Sequence, residues 1–107
     1  MDTRKQQLIE HFIEKCSMAL QEAQKSAELN ENFYKALNNG EVKFQFLKKD
    51  GTIRDAIGTM KHGCIPPILG TGKPLPFDLQ LYFDTEKGSF RSFRKENLIS
   101  FTIVCEQ

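Results

Sequence analysis

The first 40 residues carry apolar side chains at steps of three and four positions, the spacing of one helical face. This stripe runs through residues 3–29, and Asp2 or Thr3 can cap its first turn. It predicts one long helix, about 40 Å in length at 1.5 Å per residue. The pattern stops at Asn30–Asn32, and a short second helix is predicted to follow and to end at Gly40.

Beyond residue 40 the spacing of apolar positions changes to two, which is typical of strands. Val42, Phe44 and Phe46 alternate with polar residues, and Asp50-Gly51 precedes a second alternating run. An Asp-Gly pair between two such runs predicts a β-hairpin with a type I′ turn, because glycine accepts a positive φ.

The rest of the chain predicts a small closed sheet. Gly58 lies inside the second strand and predicts a bulge or a sharp bend. Residues 61–77 hold all four prolines and are predicted to form a long loop. Further strands are predicted at Leu79–Phe83, Ser89–Arg94 and Leu98–Cys105, with a 3₁₀-like turn at residues 95–97. The predicted fold is α+β, with a helical segment at 1–40 and a five-stranded Sm/SH3-like barrel at 41–107.

Composition narrows the function classes. A chain of 107 residues is one domain, and a net charge of +1 excludes a strongly basic nucleic-acid protein. Residues 41–107 are the more basic part, with ten Lys or Arg against eight Asp or Glu. Three widely spaced cysteines without a CxxC pair indicate free thiols in a reducing compartment. The N-terminus shows no apolar signal region, and no apolar run in the sequence is long enough to span a bilayer. We therefore expect a cytoplasmic protein without membrane contact.

Two stretches resemble a known family. Val42–Met60 and Leu81–Phe101 together resemble a WYL-like family of small Sm-type SH3-barrel proteins from bacteria and phages. The resemblance covers about residues 41–104 and implies the barrel fold, leaving the helical segment uncovered.

The second stretch also resembles the end of true WYL domains. There a strand with a tyrosine is followed by an Arg-x-Phe-Arg-x-Asp-x-Ile pattern. The counterparts here are Tyr82, Arg91, Phe93, Arg94, Glu96 and Leu98. This resemblance implies regulatory ligand sensing, with nucleotides and nucleic-acid fragments as candidate ligands. Asn97 stands where WYL domains commonly have a basic residue, and the preceding helix-turn-helix module is absent, which argues against a transcription factor.

Basic and aromatic residues are the candidate ligand-binding groups. Arginine forks suit phosphate oxygens, and aromatic rings stack on bases. Because side chains alternate along a strand, Arg91 and Phe93 are predicted on one face and Arg94 on the other. Tyr82 or Phe90 nearby is predicted to be a stacking platform for a base. The predicted ligand-binding residues are Arg91, Arg94, Tyr82, Lys95, Phe93, Arg54, Lys61 and His62. Lys48 and Lys49 flank the hairpin and extend this surface, although a solvated strand face explains the same charges.

Catalysis, cofactors and metals have little support in the sequence. The run Gly70-Thr71-Gly72-Lys73 lacks the other residues of a phosphate-binding P-loop. His62 and Cys64 are one half of a metal site without a second pair, so no metal is predicted. His11 is expected to be a structural, partly exposed histidine on the long helix. No nucleophile turn and no diagnostic acidic pair occur, so we expect no enzyme and no cofactor.

Two functions therefore remain open from the sequence. The first is a non-enzymatic module that binds a nucleotide or single-stranded nucleic acid on the barrel, with the 61–77 loop over the site. The second is a phage- or mobile-element-encoded protein that binds a host protein or a second copy through helix 3–29, with inhibition of host defence or nucleotide sequestration as variants. The helix is either free for a partner or folded over its own barrel.

Overall fold

The computed structural model describes residues 3–65 and 76–106 of the chain. The helices are α1 (Thr3–Cys16) and α2 (Leu20–Asn39), and a 3₁₀ turn, η1, covers Lys95–Asn97. The strands are β1 (Gly40–Leu47), β2 (Ile53–Thr59), β3 (Leu79–Asp84), β4 (Ser89–Arg94) and β5 (Leu98–Glu106). Within these residues, neither helix has an apolar stretch of the length that a membrane span requires.

The predicted single helix over 3–29 is wrong, because the chain breaks at Ser17. Ser17 has a φ of 56°, which is the left-handed conformation that commonly ends a helix. The N–H of Met18 donates to the carbonyl of Phe12 at 3.1 Å and closes the last turn of α1. Serine adopts this conformation rarely, and no glycine or proline marks the position, so the pattern of apolar residues did not reveal the break.

The predicted break at Asn30–Asn32 is also wrong, since α2 continues through these residues to Asn39. The side chain of Asn30 is 4% exposed and its amide nitrogen has two acceptors. It donates to the carbonyl of Ser26 at 2.8 Å and to the carbonyl of Lys95 at 3.0 Å. Asparagine favours helix ends when its side chain competes for the local backbone. Here the second bond reaches η1 and holds the helix against the barrel.

The apolar stripe of the helical segment is buried within a helical hairpin. Leu8 and Phe12 of α1 pack against Ala23 and Ala27 of α2, and all four side chains are inaccessible to solvent. The small alanines allow the two helices to approach closely. The surface predicted for a partner on helix 3–29 is therefore mostly occupied by the chain itself, although Leu20 remains exposed.

The hairpin predicted at Asp50-Gly51 is confirmed, with a different turn. Strands β1 and β2 pair antiparallel and end with Leu47 opposite Ile53. The N–H of Gly51 donates to the carbonyl of Lys48 at 3.0 Å, and the N–H of Lys48 donates to Thr52 at 2.8 Å. Gly51 has a φ of 89° while Asp50 does not adopt a positive φ, so a type I′ turn is excluded. The geometry is that of a three-residue loop with glycine in the left-handed position.

Gly58 is needed for close packing. It stays in register with Val42 of β1 and Asp84 of β3, so the predicted bulge is absent at this position. A Cβ atom here would lie 2.7 Å from Cδ2 of Tyr82 and 2.8 Å from the carbonyl oxygen of Phe83. The side chain is therefore excluded by the neighbouring strand.

The order of the strands requires a curled sheet. The order is β4-β3-β2-β1-β5, so the outermost strands are β4 and β5. In a flat sheet these two would lie about 19 Å apart, at ~4.8 Å per strand. The three residues of η1 that join them rise only about 6 Å. The sheet must therefore close on itself, which confirms the predicted barrel with its 3₁₀ turn before the last strand.

Aromatic rings fill the barrel and join it to α2. Phe33 of α2 lies edge-on to Phe44 at a centroid distance of 4.8 Å and also contacts Phe93 and Phe101. Tilted and edge-to-face arrangements are favourable for such rings. The predicted boundary between 1–40 and 41–107 stays a prediction, and the hydrophobic core continues across it.

Candidate functional site: a cationic cavity of the barrel

A cavity of about 680 Å³ opens between the β1–β2 hairpin and strand β4. Its size falls within the range of small-molecule sites in proteins. Its lining residues are Phe46, Leu47, Lys48, Lys49, Arg54, Pro76, Asp78, Leu79, Tyr82, Arg91, Ser92, Phe93, Arg94 and Asn97. Buried aromatic rings lie at its base and long charged side chains surround them.

The lining is strongly cationic. Two lysines of the hairpin and three arginines of β2 and β4 face one acidic lining residue, Asp78. Since the whole chain carries a net charge of only +1, this region concentrates positive charge that is balanced elsewhere. A cleft lined by one sign of charge attracts ligands of the opposite sign. The cavity is therefore suited to an anion.

Asp84, which is buried and does not line the cavity, holds two of the lining arginines in position. Its carboxylate is 1% exposed, and Oδ2 lies 3.3 Å from Nη2 of Arg54 and 3.8 Å from Nε of Arg91. Its other oxygen, Oδ1, accepts the backbone N–H groups of Glu86 and Lys87 at 3.0 and 2.9 Å. A buried carboxylate with partners for both oxygens is a rigid anchor. The remaining donors of Arg54 and Arg91 can then meet a ligand in a fixed geometry.

Arg91 and Arg94 line the same cavity although they were predicted on opposite faces of their strand. Arg94 is the last residue of β4, where the chain turns into η1 with φ −73° and ψ 131°. Nη1 of Arg94 lies 3.6 Å from Oε2 of Glu96, and more than half of the Arg94 side chain is exposed. Strand alternation therefore does not separate the two guanidinium groups at this end.

The two aromatic residues predicted for the site form its base and do not stack on a ligand. Tyr82 is 1% exposed and lies edge-on to Phe44 at 4.9 Å, while Phe93 stacks on Phe46 at 4.9 Å. Burial raises the pKa of Tyr82, so its hydroxyl stays neutral. Phe90 packs on Phe83 and does not line the cavity. The burial of Tyr82 leaves no ring face for stacking on a ligand, and the stacking role predicted for Phe90 stays a prediction.

Lys95 faces another part of the molecule. It is 5% exposed, and its Nζ lies 4.1 Å from the ring centroid of Phe77, a cation–π contact. Burial, followed by the nearby charge of Arg4, lowers the pKa of Lys95 to about 8. It lines a separate depression with Arg4 and Tyr34 and not the lining that Arg91 and Arg94 share, so its ligand-binding role stays a prediction.

Lys61 and His62 also lie outside the cavity lining. Lys61 is half-buried, with its N–H bonded to Oγ1 of Thr59, and His62 is exposed in a turn. Their predicted place in the site is not supported by this geometry. The middle of the predicted 61–77 loop, residues 66–75 with Gly70, Gly72 and Lys73, lies outside the described residues.

Part of α2 and strands β1 to β4, with the first residues of β5, match a known family. Residues 30–99 match the family WYL_2, described as an Sm-like SH3 beta-barrel fold. The chain belongs to this family. The WYL_2 match covers about two thirds of the chain and includes every lining residue of the cavity. No curated protein and no solved structure shows a significant match to the chain.

The sequence of this WYL_2 protein did not reveal the anchoring residue Asp84. It stands at the end of β3, directly before the Thr85–Gly88 turn, where an aspartate often accepts backbone N–H groups. That signal predicts a turn but not the two arginines, because Arg54 and Asp84 are 30 residues apart. Asp78 and Leu47 also line the cavity, and they were not predicted because the other lining residues are distant from them in sequence.

Proposed function

We propose that the protein is a non-enzymatic binding module for a nucleotide or for a short single strand of nucleic acid. The phosphate occupies the cationic cavity between the hairpin and β4. The observation that supports this most directly is the pairing of Arg54 and Arg91 on buried Asp84, with Lys48, Lys49 and Arg94 around the same opening. Preorganised guanidinium groups bind phosphate oxygens through two donors at once.

The apolar part of the cavity provides for the rest of such a ligand. Leu47 is exposed at 38%, and Leu79 and Pro76 lie on the same lining. A base can lie against these side chains, and the guanidinium plane of Arg94 can stack on it. The cavity volume suits one or two nucleotides, so a longer strand enters with one end or one exposed base.

The test is a binding titration with two fluorescent probes, a labelled nucleoside triphosphate as the mononucleotide and a labelled short oligodeoxythymidine. We expect both to bind at low salt, with an affinity that falls steeply as salt increases because phosphate contacts release counterions. Competition between the probes distinguishes a mononucleotide ligand from a single strand of nucleic acid. A mononucleotide that displaces the oligonucleotide identifies one shared pocket, whereas binding of the oligonucleotide alone identifies single-stranded nucleic acid as the ligand.

The matched variants remove two positive charges each. Arg91→Ala with Arg94→Ala removes two lining residues, and we expect about a hundredfold loss of affinity, from two charge-assisted contacts of about 1.5 kcal/mol or more each. Lys35→Ala with Lys43→Ala removes two exposed cations that do not line the cavity. Equal losses in the two pairs, or no binding of either probe at low salt, would overturn the proposal.

A further inference from the structure

Three side chains with metal-binding atoms meet where the end of α1 contacts η1. His11 and Cys16 belong to the last part of α1, and Glu96 is the middle residue of η1. One ligand atom from each lies within 4.8 Å of the other two. The set combines a nitrogen, a sulfur and a carboxylate oxygen, each of which zinc binds in proteins. None of the three residues lines the cationic cavity, although Glu96 pairs with Arg94, which does.

One of these side chains has a buried polar atom without a partner. Nε2 of His11 is inaccessible to solvent and makes no hydrogen bond. Leaving such an atom unpaired is unfavourable. The Glu96 carboxylate accepts a hydrogen bond from the Cys16 thiol, and its Oε2 lies 3.6 Å from Nη1 of Arg94. An unpaired histidine nitrogen beside a thiol and a carboxylate indicates that a bound group satisfies it.

We propose that His11, Cys16 and Glu96 bind a zinc ion. Zinc at about 2.1 Å from nitrogen or oxygen and about 2.3 Å from sulfur places its ligand atoms roughly 3.5 Å from one another. The separations here, up to 4.8 Å, require a contraction of about 1 Å. Three protein ligands leave a fourth position for water or a small exchangeable ligand.

The surface beside His11 carries mixed charge. A shallow cleft there is lined by Glu10 and Glu14 and also by Lys15. Zinc binds the thiolate form of cysteine, so its binding displaces the thiol proton.

The experiment uses Co²⁺ as a spectroscopic substitute for zinc on the reduced, untagged full chain. We expect an absorption band in the near ultraviolet from sulfur-to-cobalt charge transfer, and its loss when one equivalent of Zn²⁺ is added. Cys16→Ser should abolish the band. Cys64→Ser, which removes an exposed cysteine outside the cluster, should leave it unchanged. His11→Gln and Glu96→Gln should each weaken zinc binding about tenfold or more, by competition with a chromogenic chelator.

A second measurement uses only the wild-type protein and does not depend on the folding of a variant. Zinc should slow the alkylation of Cys16 by iodoacetamide in the wild-type protein, with Cys64 as the internal reference in the same mass spectrum. The proposal is overturned by a cobalt spectrum without a charge-transfer band, by a band that persists in folded Cys16→Ser, or by zinc protection confined to Cys64. None of these results depends on binding at the cationic cavity, so the two proposals are tested separately.

Discussion

Nη2 of Arg54 lies 3.3 Å from Oδ2 of Asp84, across a gap of 30 residues in sequence. Asp84 is buried and Arg54 is partly exposed, so the carboxylate is fixed while the guanidinium faces the cavity. The same carboxylate oxygen also faces Arg91. One acidic residue therefore holds two strands and two potential phosphate contacts in register.

Asp84→Ala should lower the free energy of unfolding by about 2–4 kcal/mol, because it leaves two backbone N–H groups without an acceptor and two arginines without their counterion. Urea denaturation measures the loss. Asp55→Ala is the matched control, since Asp55 is exposed and accepts one hydrogen bond from Gln45. It should cost about 0.5 kcal/mol or less. Similar losses in both variants would contradict the anchoring role of Asp84.

Gly58→Ala should destabilise the protein by about 2–3 kcal/mol, since the new methyl group would overlap Tyr82 and the backbone of Phe83. Gly51→Ala provides the comparison, because nothing lies within 4 Å of its added Cβ and only its φ of 89° opposes the substitution. That strain is worth about 1 kcal/mol. Thermal and urea denaturation should rank Gly58→Ala as the more damaging change, and the reverse order would exclude close packing at Gly58.

Phe33→Ala should cost about 3–5 kcal/mol, because it opens a cavity between α2 and three rings of the barrel. The neighbouring Tyr34 is exposed, with Arg4 over its ring at 3.9 Å. Tyr34→Ala should therefore cost only about 1 kcal/mol. If Phe33→Ala removed the helical signal in circular dichroism while the barrel still unfolded at the wild-type urea concentration, the shared core would be disproved.

The lowered pKa of Lys95 predicts how the free energy of unfolding changes with pH. Its pKa is about 8 in the folded protein and about 10.4 in the unfolded chain. Between these values the unfolded chain binds the proton that the folded protein has lost, so stability increases with pH. Below about pH 8 both states hold the proton and this contribution is constant.

Comparison with Lys95→Met isolates that contribution, since all other titrating groups are shared. The difference in unfolding free energy, wild type minus variant, should rise between about pH 8 and pH 10. Urea denaturation of both proteins at several pH values measures it. A difference that is flat or falls across this range would show that Lys95 keeps its ordinary pKa.

The barrel was predictable because its signals are local. Alternation along Val42–Phe46, the Asp-Gly turn and the 3₁₀ turn before Leu98 each follow from a few adjacent residues. The family resemblance implied the Sm/SH3-like barrel, and the match over residues 30–99 confirms it.

The helical segment was less predictable because its deciding contacts are distant. Asn30 remains helical through a bond to Lys95, 65 residues away, and Ser17 breaks the helix where no glycine or proline stands. Part of the cavity was anticipated, since Arg54, Arg91 and Arg94 line it with Tyr82 and Phe93. The burial of Tyr82 and the position of Lys95 outside the cavity lining depend on packing that a single sequence does not show.

The junction between α2 and β1 has a consequence for how this fold can be reused. The last helical residue is Asn39 and the first strand residue is Gly40, so no linker separates them. Thr59 bonds to carbonyls on both sides of the junction, those of Leu37 and Gly40. Recombination or engineering that cuts at this point would expose the aromatic interior to water. The portable unit is the barrel together with both helices, because Leu8 and Phe12 of α1 bury Ala23 and Ala27 of α2.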